Sequence, residues 1–153
     1  MTHVTAIIAS TSGHTAFVLD TLVAYWARTA PEITVRMIRA EEAKPEDFLA
    51  GDLLVLGSGT WNTGGKEGQL NPFMHELLFD RAKSVDLKNK RVALLSLGDE
   101  RYYFTTRCTE HFLKFIRDHG GKLLGMPLTI TNEPYDQMER IEKWGAKLIA
   151  AML

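Results

Sequence analysis

Apolar residues along the chain fall into two kinds of run, and both kinds predict β-strands. Residues 4–9, 53–56 and 92–97 are almost continuously apolar, as in parallel strands that are covered on both faces. Residues 33–38 and 128–131 instead alternate apolar and polar side chains, which is typical of strands with one wetter side. We therefore predict five strands, with the two alternating ones at the edges of the sheet.

Helical periodicity separates these strands. Sequences that read Pro45-Glu46-Asp47 and Asn71-Pro72 indicate the starts of two less regular helices. The alternation predicts an α/β fold with a doubly wound parallel sheet, strand order 2-1-3-4-5 and helices on both faces. Three regular helices are indicated by stripes of apolar side chains at helical spacing, namely Val18, Leu22, Tyr25 and Trp26; Cys108, Phe112, Phe115 and Ile116; and Met138, Ile141, Leu148, Ile149 and Met152.

Composition narrows the class of protein. A length of 153 residues suits a single domain, 1–153, and a formal net charge of −1 argues against nucleic-acid binding. Because Cys108 is the only cysteine, an internal disulfide and a multi-cysteine zinc site are excluded. The first residues, MTHVTAIIASTSG, carry no basic segment before a short apolar run, so we expect a cytoplasmic protein without a signal peptide or membrane span.

The loop after the first strand has the composition of a phosphate site. It reads Ser10-Thr11-Ser12-Gly13-His14-Thr15 and precedes an amphipathic helix. Backbone N–H groups and the positive end of a helix dipole favour an anion, and short hydroxyl side chains add donors. The alternative is an ordinary helix cap, which needs one hydroxyl rather than four.

Known nucleotide-binding patterns do not fit. Gly65-Lys66 is followed by Glu67, and Thr60 stands where a Walker loop needs its first glycine. No G-x-G-x-x-G follows the first strand, so a dinucleotide-binding loop is also excluded. A receiver-type phosphoacceptor would need acidic residues after that strand, where Ser10-Thr11 stand instead.

Two further loops place aromatic residues at the ends of buried strands. Residues 57–65 read Gly-Ser-Gly-Thr-Trp-Asn-Thr-Gly-Gly and contain Trp61, while residues 98–104 begin Gly98-Asp99 and contain Tyr102. An indole and a phenol beside a phosphate loop suit a flat phosphorylated ring that stacks between them, and glycines let backbone amides approach its edge. The alternative for Trp61 is packing over the edge of the sheet.

With these motifs in order, the sequence resembles the flavodoxins, in particular the short-chain bacterial type. The first loop matches the pattern [ST]-x-[ST]-G-x-T of that family, residues 57–61 look like its G-S-x-T-W loop, and Gly98-Asp99 with Tyr102 looks like its G-D-x-x-Y loop. The similarity continues through Gly120-Gly121 to the segment 128–134 and covers essentially the whole chain. It implies a flavodoxin-like fold with FMN as the cofactor.

The resemblance also implies roles for individual residues. The FMN phosphate is expected at residues Ser10 to Thr15. Thr60 and Trp61 are expected at one face and edge of the isoalloxazine, and Tyr102 at the other face. Gly98 and Asp99 would offer backbone groups to the pyrimidine end. The full set of expected cofactor-binding residues is Ser10, Thr11, Ser12, Gly13, His14, Thr15, Ser58, Gly59, Thr60, Trp61, Asn62, Gly98, Asp99 and Tyr102.

The function implied is one-electron transfer by a monomer between redox partner proteins, a reductase and an electron acceptor, without a substrate transformation of its own. Three alternatives remain: an FMN-dependent reductase of quinones or other small molecules, a flavodoxin-like activator of a metalloenzyme such as ribonucleotide reductase, and a cofactor-free interaction module. Trp61 and Tyr102, expected on both faces of the ring, favour the carrier over a reductase that needs an open face.

Three features depart from the family pattern. Asn62 stands where a glycine usually follows the Trp, and His14 stands where Asn is usual, which brings a titratable group beside the phosphate. Flavodoxins are typically strongly acidic, whereas Lys66 balances Glu67 within residues 57–75, and two bases balance two acids within 96–107. We therefore expect a less negative low potential and weaker, less salt-sensitive electrostatic steering of partners than is usual in that family.

Overall fold

The parallel sheet at the centre of the fold follows the predicted strand order. The computed structural model describes residues 2–63, 66–98 and 107–152, and of residues 61–63 and 66–69 it describes the backbone. Within these ranges the strands run in the order β2-β1-β3-β5, with β6 and β7 both parallel to β5 on its far side and β4 antiparallel to β3. The strands are β1 (Thr2–Ala9), β2 (Ile33–Arg39), β3 (Leu53–Thr63), β4 (Lys66–Leu70), β5 (Arg91–Gly98), β6 (Lys122–Leu123) and β7 (Leu128–Thr131).

Helices cover both faces of the sheet, as predicted. Both α1 and α4 pack on one face through residues such as Leu22, Trp26 and Trp144, while α2 and α3 pack on the other through Met74 and Phe112. None of the helices in the described ranges is long and apolar enough to cross a membrane. The helices are α1 (His14–Thr29), a 3₁₀ helix (Pro45–Leu49), α2 (Pro72–Glu76), a π-helical turn (Leu77–Arg81), α3 (Cys108–Asp118) and α4 (Met138–Met152).

The continuous apolar runs are the buried strands. Side chains of β1 alternate between the two cores, with Ile7 in the core of α2 and α3 and Ile8 in the core of α1 and α4. The register places Val4 opposite both Leu53 and Val35, so apolar side chains of neighbouring strands meet on the same face. Over residues 4–9, 53–56 and 92–97 the three central strands therefore have no wet side, and these segments are almost continuously apolar.

One segment differs from the loop that the sequence predicts over residues 57–65. Strand β3 continues to Thr63 and forms an antiparallel pair with β4, in which Thr60 lies opposite Leu70 and Trp61 opposite Gln69. The register shifts between Trp61 and Thr63, as at a β-bulge. Glycine-rich composition weakens any strand pattern, yet the backbone of this segment pairs with β4.

The edge strand β7 is protected by side chains from the α4 side. Trp144 Nε1 donates to the carbonyl of Met126 at 2.7 Å, and Arg140 Nη2 donates to that of Thr129 at 3.0 Å. Gln137 Nε2 donates to the carbonyl of Thr131 at 3.0 Å. These bonds occupy edge carbonyls that could otherwise pair with another strand, and they fix the segment that leaves β7 at its carboxyl end.

Candidate functional site

A cleft of about 520 Å³ opens at the carboxyl ends of β1, β3, β5 and β7. Its size lies within the usual range of small-molecule sites, and it lies where the chain crosses from one side of β1 to the other. Eight of the residues expected from the sequence line it: Ser10, Thr11, Ser12, His14, Thr15, Gly59, Thr60 and Gly98. The remaining lining residues are Ala9, Asn71, Leu97, Asn132 and Glu133.

The amino end of α1 is open to an anion. Gly13 precedes the helix with φ +90° and has no side chain to cap it, and no acidic residue lies in the first turn. The N–H of Ala16 donates to Ser10 Oγ at 3.2 Å and that of Phe17 to the Gly13 carbonyl at 2.9 Å. No hydrogen bond of the described residues occupies the N–H groups of His14 and Thr15, which leaves two donors at the positive end of a 16-residue helix.

Gly57 lets α1 lie close to the sheet at this point. A Cβ at position 57 would come within 3.3 Å of Thr15 Cγ2 and 3.1 Å of Ile8 Cγ2. Thr15 is only 4% exposed and still lines the cleft. Because Gly57 of β3 has no side chain, the first turn of α1 can pack closely against the carboxyl end of the sheet.

His14 is held in an aromatic contact. Its ring meets Tyr135 edge-on, and Tyr135 also packs edge-on against Phe17 of α1. Tyr135 lies in the same segment as Asn132 and Glu133, which follow β7 and line the cleft. The segment after β7 thus supports His14 at the cleft.

Ser58, one of the residues expected at the cofactor, is instead placed beneath the cleft. It is 0% exposed, and its hydroxyl donates to the Gly59 carbonyl at 2.8 Å while accepting from the N–H of Asn71 at 3.0 Å. Asn71 caps α2 by accepting from the N–H of Phe73 at 2.9 Å. The Ser58 hydroxyl therefore ties β3 to the start of α2, and Asn71 is the member of this pair that lines the cleft.

Thr60 connects the cleft to the single cysteine. Its hydroxyl donates to Cys108 Sγ at 3.2 Å, and that sulfur donates to the Ser58 carbonyl at 3.5 Å. Cys108 is 0% exposed. Burial raises the pKa of its thiol, although hydrogen bonds from Ser96 and Thr60 act in the opposite direction. The sulfur is therefore a neutral, buried hydrogen-bonding group at neutral pH.

Four of the expected cofactor residues fall wholly or partly outside the described part of the chain. Asp99 and Tyr102 lie outside the described residues. Trp61 and Asn62 are described only as backbone within β3. Their roles stay predictions from the sequence.

Sequence reasoning assigned no role to Asn71, Asn132 and Glu133, which the fold brings into the cleft. Asn132 adopts φ +67° directly after β7, and its N–H donates to the Gly98 carbonyl at 2.8 Å. An asparagine directly after a strand is the signal that could have identified this turn, because Asn tolerates the left-handed region better than most residues. Nothing local to Glu133 distinguishes it in the sequence.

Comparison with known proteins assigns the family. A model of the flavodoxin family matches residues 9–144. The chain belongs to the flavodoxin family. A flavodoxin of Nitratidesulfovibrio vulgaris (strain DSM 19637 / Miyazaki F) is 23% identical over 153 residues, which span 99% of this chain and 100% of that relative.

Solved flavodoxin structures share the fold. Oxidised flavodoxin 1 from Bacillus cereus superposes with a TM-score of 0.84 at 21% identity, over 97% of each chain. A short-chain flavodoxin associated with a bacterial microcompartment gives a TM-score of 0.84 at 20% identity, over 100% of each chain. The predicted fold and the short-chain type are thereby confirmed.

Flavodoxins are FMN-binding electron-transfer proteins, and the described cleft fits this cofactor. A helix amino end with two remaining N–H donors and hydroxyl side chains suit a phosphate dianion, and no atom lies within 4 Å of the position that a Cβ on Gly13 would take. Apolar side chains of Ala9 and Leu97 and backbone at Gly59 and Gly98 line the remainder. The polar donors at one end of the cleft suit the phosphate, and the small and apolar residues at the other end suit a flat aromatic ring.

Proposed function

We propose that this flavodoxin shuttles single electrons between two protein partners, a reductase and an electron acceptor, and has no substrate reaction of its own. The observation that carries the proposal is the amino end of α1, with the N–H groups of His14 and Thr15 left as donors, opening into a cleft of about 520 Å³ at the carboxyl ends of the strands. When bound, FMN supplies one-electron redox chemistry. Every other requirement of the proposal concerns how the chain holds that group.

The phosphate end is proposed to be held by the first loop. Ser10, Thr11, Ser12 and Thr15 offer hydroxyls, and the N–H groups of His14 and Thr15 are available in the described part of the chain. In this arrangement the negative charge of the phosphate is stabilised by the helix dipole and by hydrogen bonds from uncharged donors rather than by Lys or Arg.

The ring end is proposed to lie between β3 and β5. Gly59, Thr60 and Gly98 line the cleft there, and the small residues allow backbone groups to approach the edge of a flat ring. Trp61 and Tyr102 remain the predicted stacking partners, with Asn62 and Asp99 as predicted neighbours. The sequence also predicts a cytoplasmic monomer. Sedimentation velocity of the FMN-loaded protein would check the oligomeric state.

Reconstitution tests the proposal directly. Apoprotein titrated with FMN and, separately, with riboflavin should bind FMN far more tightly, since only FMN carries the phosphate that the first loop receives. Anaerobic reductive titration should then give two separate one-electron steps, each with its own midpoint potential. Rapid oxidation of NADH or NADPH by the purified FMN-loaded protein alone, with quinone turnover, would show a reductase instead.

A further inference from the structure

Cys108 is at the junction of the elements that form the ring end of the cleft. It is the first residue of α3, and two of its hydrogen bonds run to β3, one from the Thr60 hydroxyl at 3.2 Å and one to the Ser58 carbonyl at 3.5 Å. These two residues of β3 are separated by Gly59, which lines the cleft. One sulfur atom therefore contacts the strand on both sides of a cleft-lining glycine.

The next residue of α3 attaches to a different strand. Thr109 Oγ1 donates to Ser96 Oγ of β5 at 2.6 Å, and Ser96 is 0% exposed. The start of α3 is thus bonded to β3 through Cys108 and to β5 through Thr109, and Ser96 of β5 also hydrogen-bonds the Cys108 thiol. Of these two side chains, only Cys108 is hydrogen-bonded to a residue that lines the cleft, Thr60. Only the Cys108 contact can therefore influence the shape of the cleft directly.

The thiol is suited to both of its contacts. As a neutral group it can accept from the Thr60 hydroxyl and donate to the Ser58 carbonyl at the same time. The hydroxyl and methyl groups of Thr60 branch from the same Cβ. A bond that fixes Oγ1 therefore also fixes where the methyl group lies, and with it the shape that Thr60 gives to the cleft.

We propose that Cys108 is a positioning residue for the cofactor, which acts through Thr60 by holding its side chain in one rotamer at the ring end of the cleft. This inference rests on the proposed function, because it assumes that FMN occupies this cleft. The sulfur itself does not contact the cofactor in this proposal, and its redox state does not change.

A double-mutant cycle separates positioning from a general packing role. The variants are Cys108→Ala, Cys108→Ser, Thr60→Val and the double variant C108A/T60V, and the readouts are the FMN dissociation constant and the two midpoint potentials. Cys108→Ala should weaken FMN binding about three- to tenfold, the worth of one net hydrogen bond. Cys108→Ser, which keeps a donor and an acceptor, should stay within about twofold of the wild type.

The decisive arm is the Thr60→Val background. If Cys108 acts through Thr60, Cys108→Ala in the Thr60→Val background should change FMN affinity by less than about twofold, because the interaction is already lost. The two midpoint potentials should then change only marginally. Equal effects in both backgrounds would overturn the proposal and leave Cys108 a packing residue. So would an unchanged affinity in Cys108→Ala.

Thr109→Val is the matched control. It removes a buried hydrogen bond at the same helix start without touching a cleft-lining residue, so it should lower the unfolding temperature while leaving FMN affinity within about twofold. Wild-type protein that fails to bind FMN would instead refute the proposed function itself. Wild-type protein that binds FMN, with no coupling in the cycle, refutes the positioning role alone.

Discussion

The imidazole of His14 lies edge-on to the ring of Tyr135, with ring centroids 5.5 Å apart and planes at 86°. Tyr135 also packs against Phe17 at 4.7 Å, so the segment that follows β7 contacts two residues in the first turns of α1. Glu133 of that segment lines the same cleft. An aromatic contact therefore holds the His14 ring at the proposed phosphate end.

We predict that His14→Ala lowers the affinity of the protein for FMN by about two- to fivefold. The variant removes the ring that Tyr135 contacts edge-on, so the segment after β7 loses a contact beside the cleft. Isothermal titration of the apoprotein with FMN measures the effect.

His14→Phe is the matched control. It keeps an aromatic ring at the same position, so its affinity for FMN should stay within about twofold of the wild type. Equal FMN affinities of His14→Ala and the wild type would count against the prediction.

The central sheet could be predicted because burial and sequence agree there. Residues such as Ile7 and Leu94 lie in strands with two covered faces, so the apolar run itself reports the position of the strand. The hairpin of β3 and β4 could not be predicted in the same way. Its pairing of Thr60 with Leu70 is a backbone interaction, and neither glycine nor polar side chains record it in a periodic pattern. The two-residue strand β6 is too short for any period.

The site was predictable where one loop carries its chemistry and less so where the fold assembles it. Ser10 to Thr15 are contiguous, and most of them line the cleft. Ser58 has the residue type expected at a cofactor, yet its hydroxyl is already hydrogen-bonded to the backbone of Gly59 and Asn71. Asn132 and Glu133 enter the cleft only because β7 lies beside β5, a relation that depends on the tertiary fold.

Gly13 is predicted to be required for its backbone conformation rather than for space. Its φ is +90°, and nothing lies within 4 Å of a Cβ built there. Gly13→Ala should destabilise the apoprotein by about 1–2 kcal/mol through left-handed strain alone, and Gly13→Asn should lose less because Asn tolerates this region better. Urea unfolding of the apoproteins measures both, and equal losses for Ala and Asn would contradict this explanation.

Gly145 is predicted to reverse the usual preference of a helix for alanine. It lies within α4, where a Cβ would come within 2.6 Å of Leu22 Cδ1 and 3.2 Å of Tyr25 Cδ2 on α1. Its carbonyl also accepts from Trp26 Nε1 at 3.1 Å. Helix propensity would favour Gly145→Ala by ~1 kcal/mol, whereas overpacking costs ~1–3 kcal/mol. We expect a net loss of about 1 kcal/mol.

The neighbouring position calibrates that prediction. Ala146 is exposed on the same turn of α4, so Ala146→Gly reports the propensity contribution of that turn without a packing change. Thermal unfolding should show both variants destabilised, although they change the residue in opposite directions. A stabilised Gly145→Ala would mean that α1 and α4 separate at little cost. FMN affinity should be unchanged in both, because neither residue lines the cleft.

Cys108 is predicted to link stability to alkaline pH. Burial holds the pKa of its thiol above the ordinary value of 9.0, so the folded state favours the neutral thiol while the unfolded chain ionises near that value. A group whose pKa is raised by folding supports the folded state below the unfolded value and loses that support as pH rises toward the folded one. The unfolding free energy of the apoprotein should therefore fall above pH 9.0.

Comparison of wild type with Cys108→Ala isolates this linkage. Lysine and tyrosine titrations are common to both proteins, so the difference between their stability profiles reports the thiol alone. The difference should be constant at neutral pH and should change only above pH 9.0, with the wild type losing stability more steeply. Reaction of the native thiol with a disulfide reagent should also be far slower than in urea, since thiolate and access are both required. Parallel stability profiles together with rapid native labelling would show that the Cys108 thiol is solvated, and the buried bond to Thr60 would then have no basis.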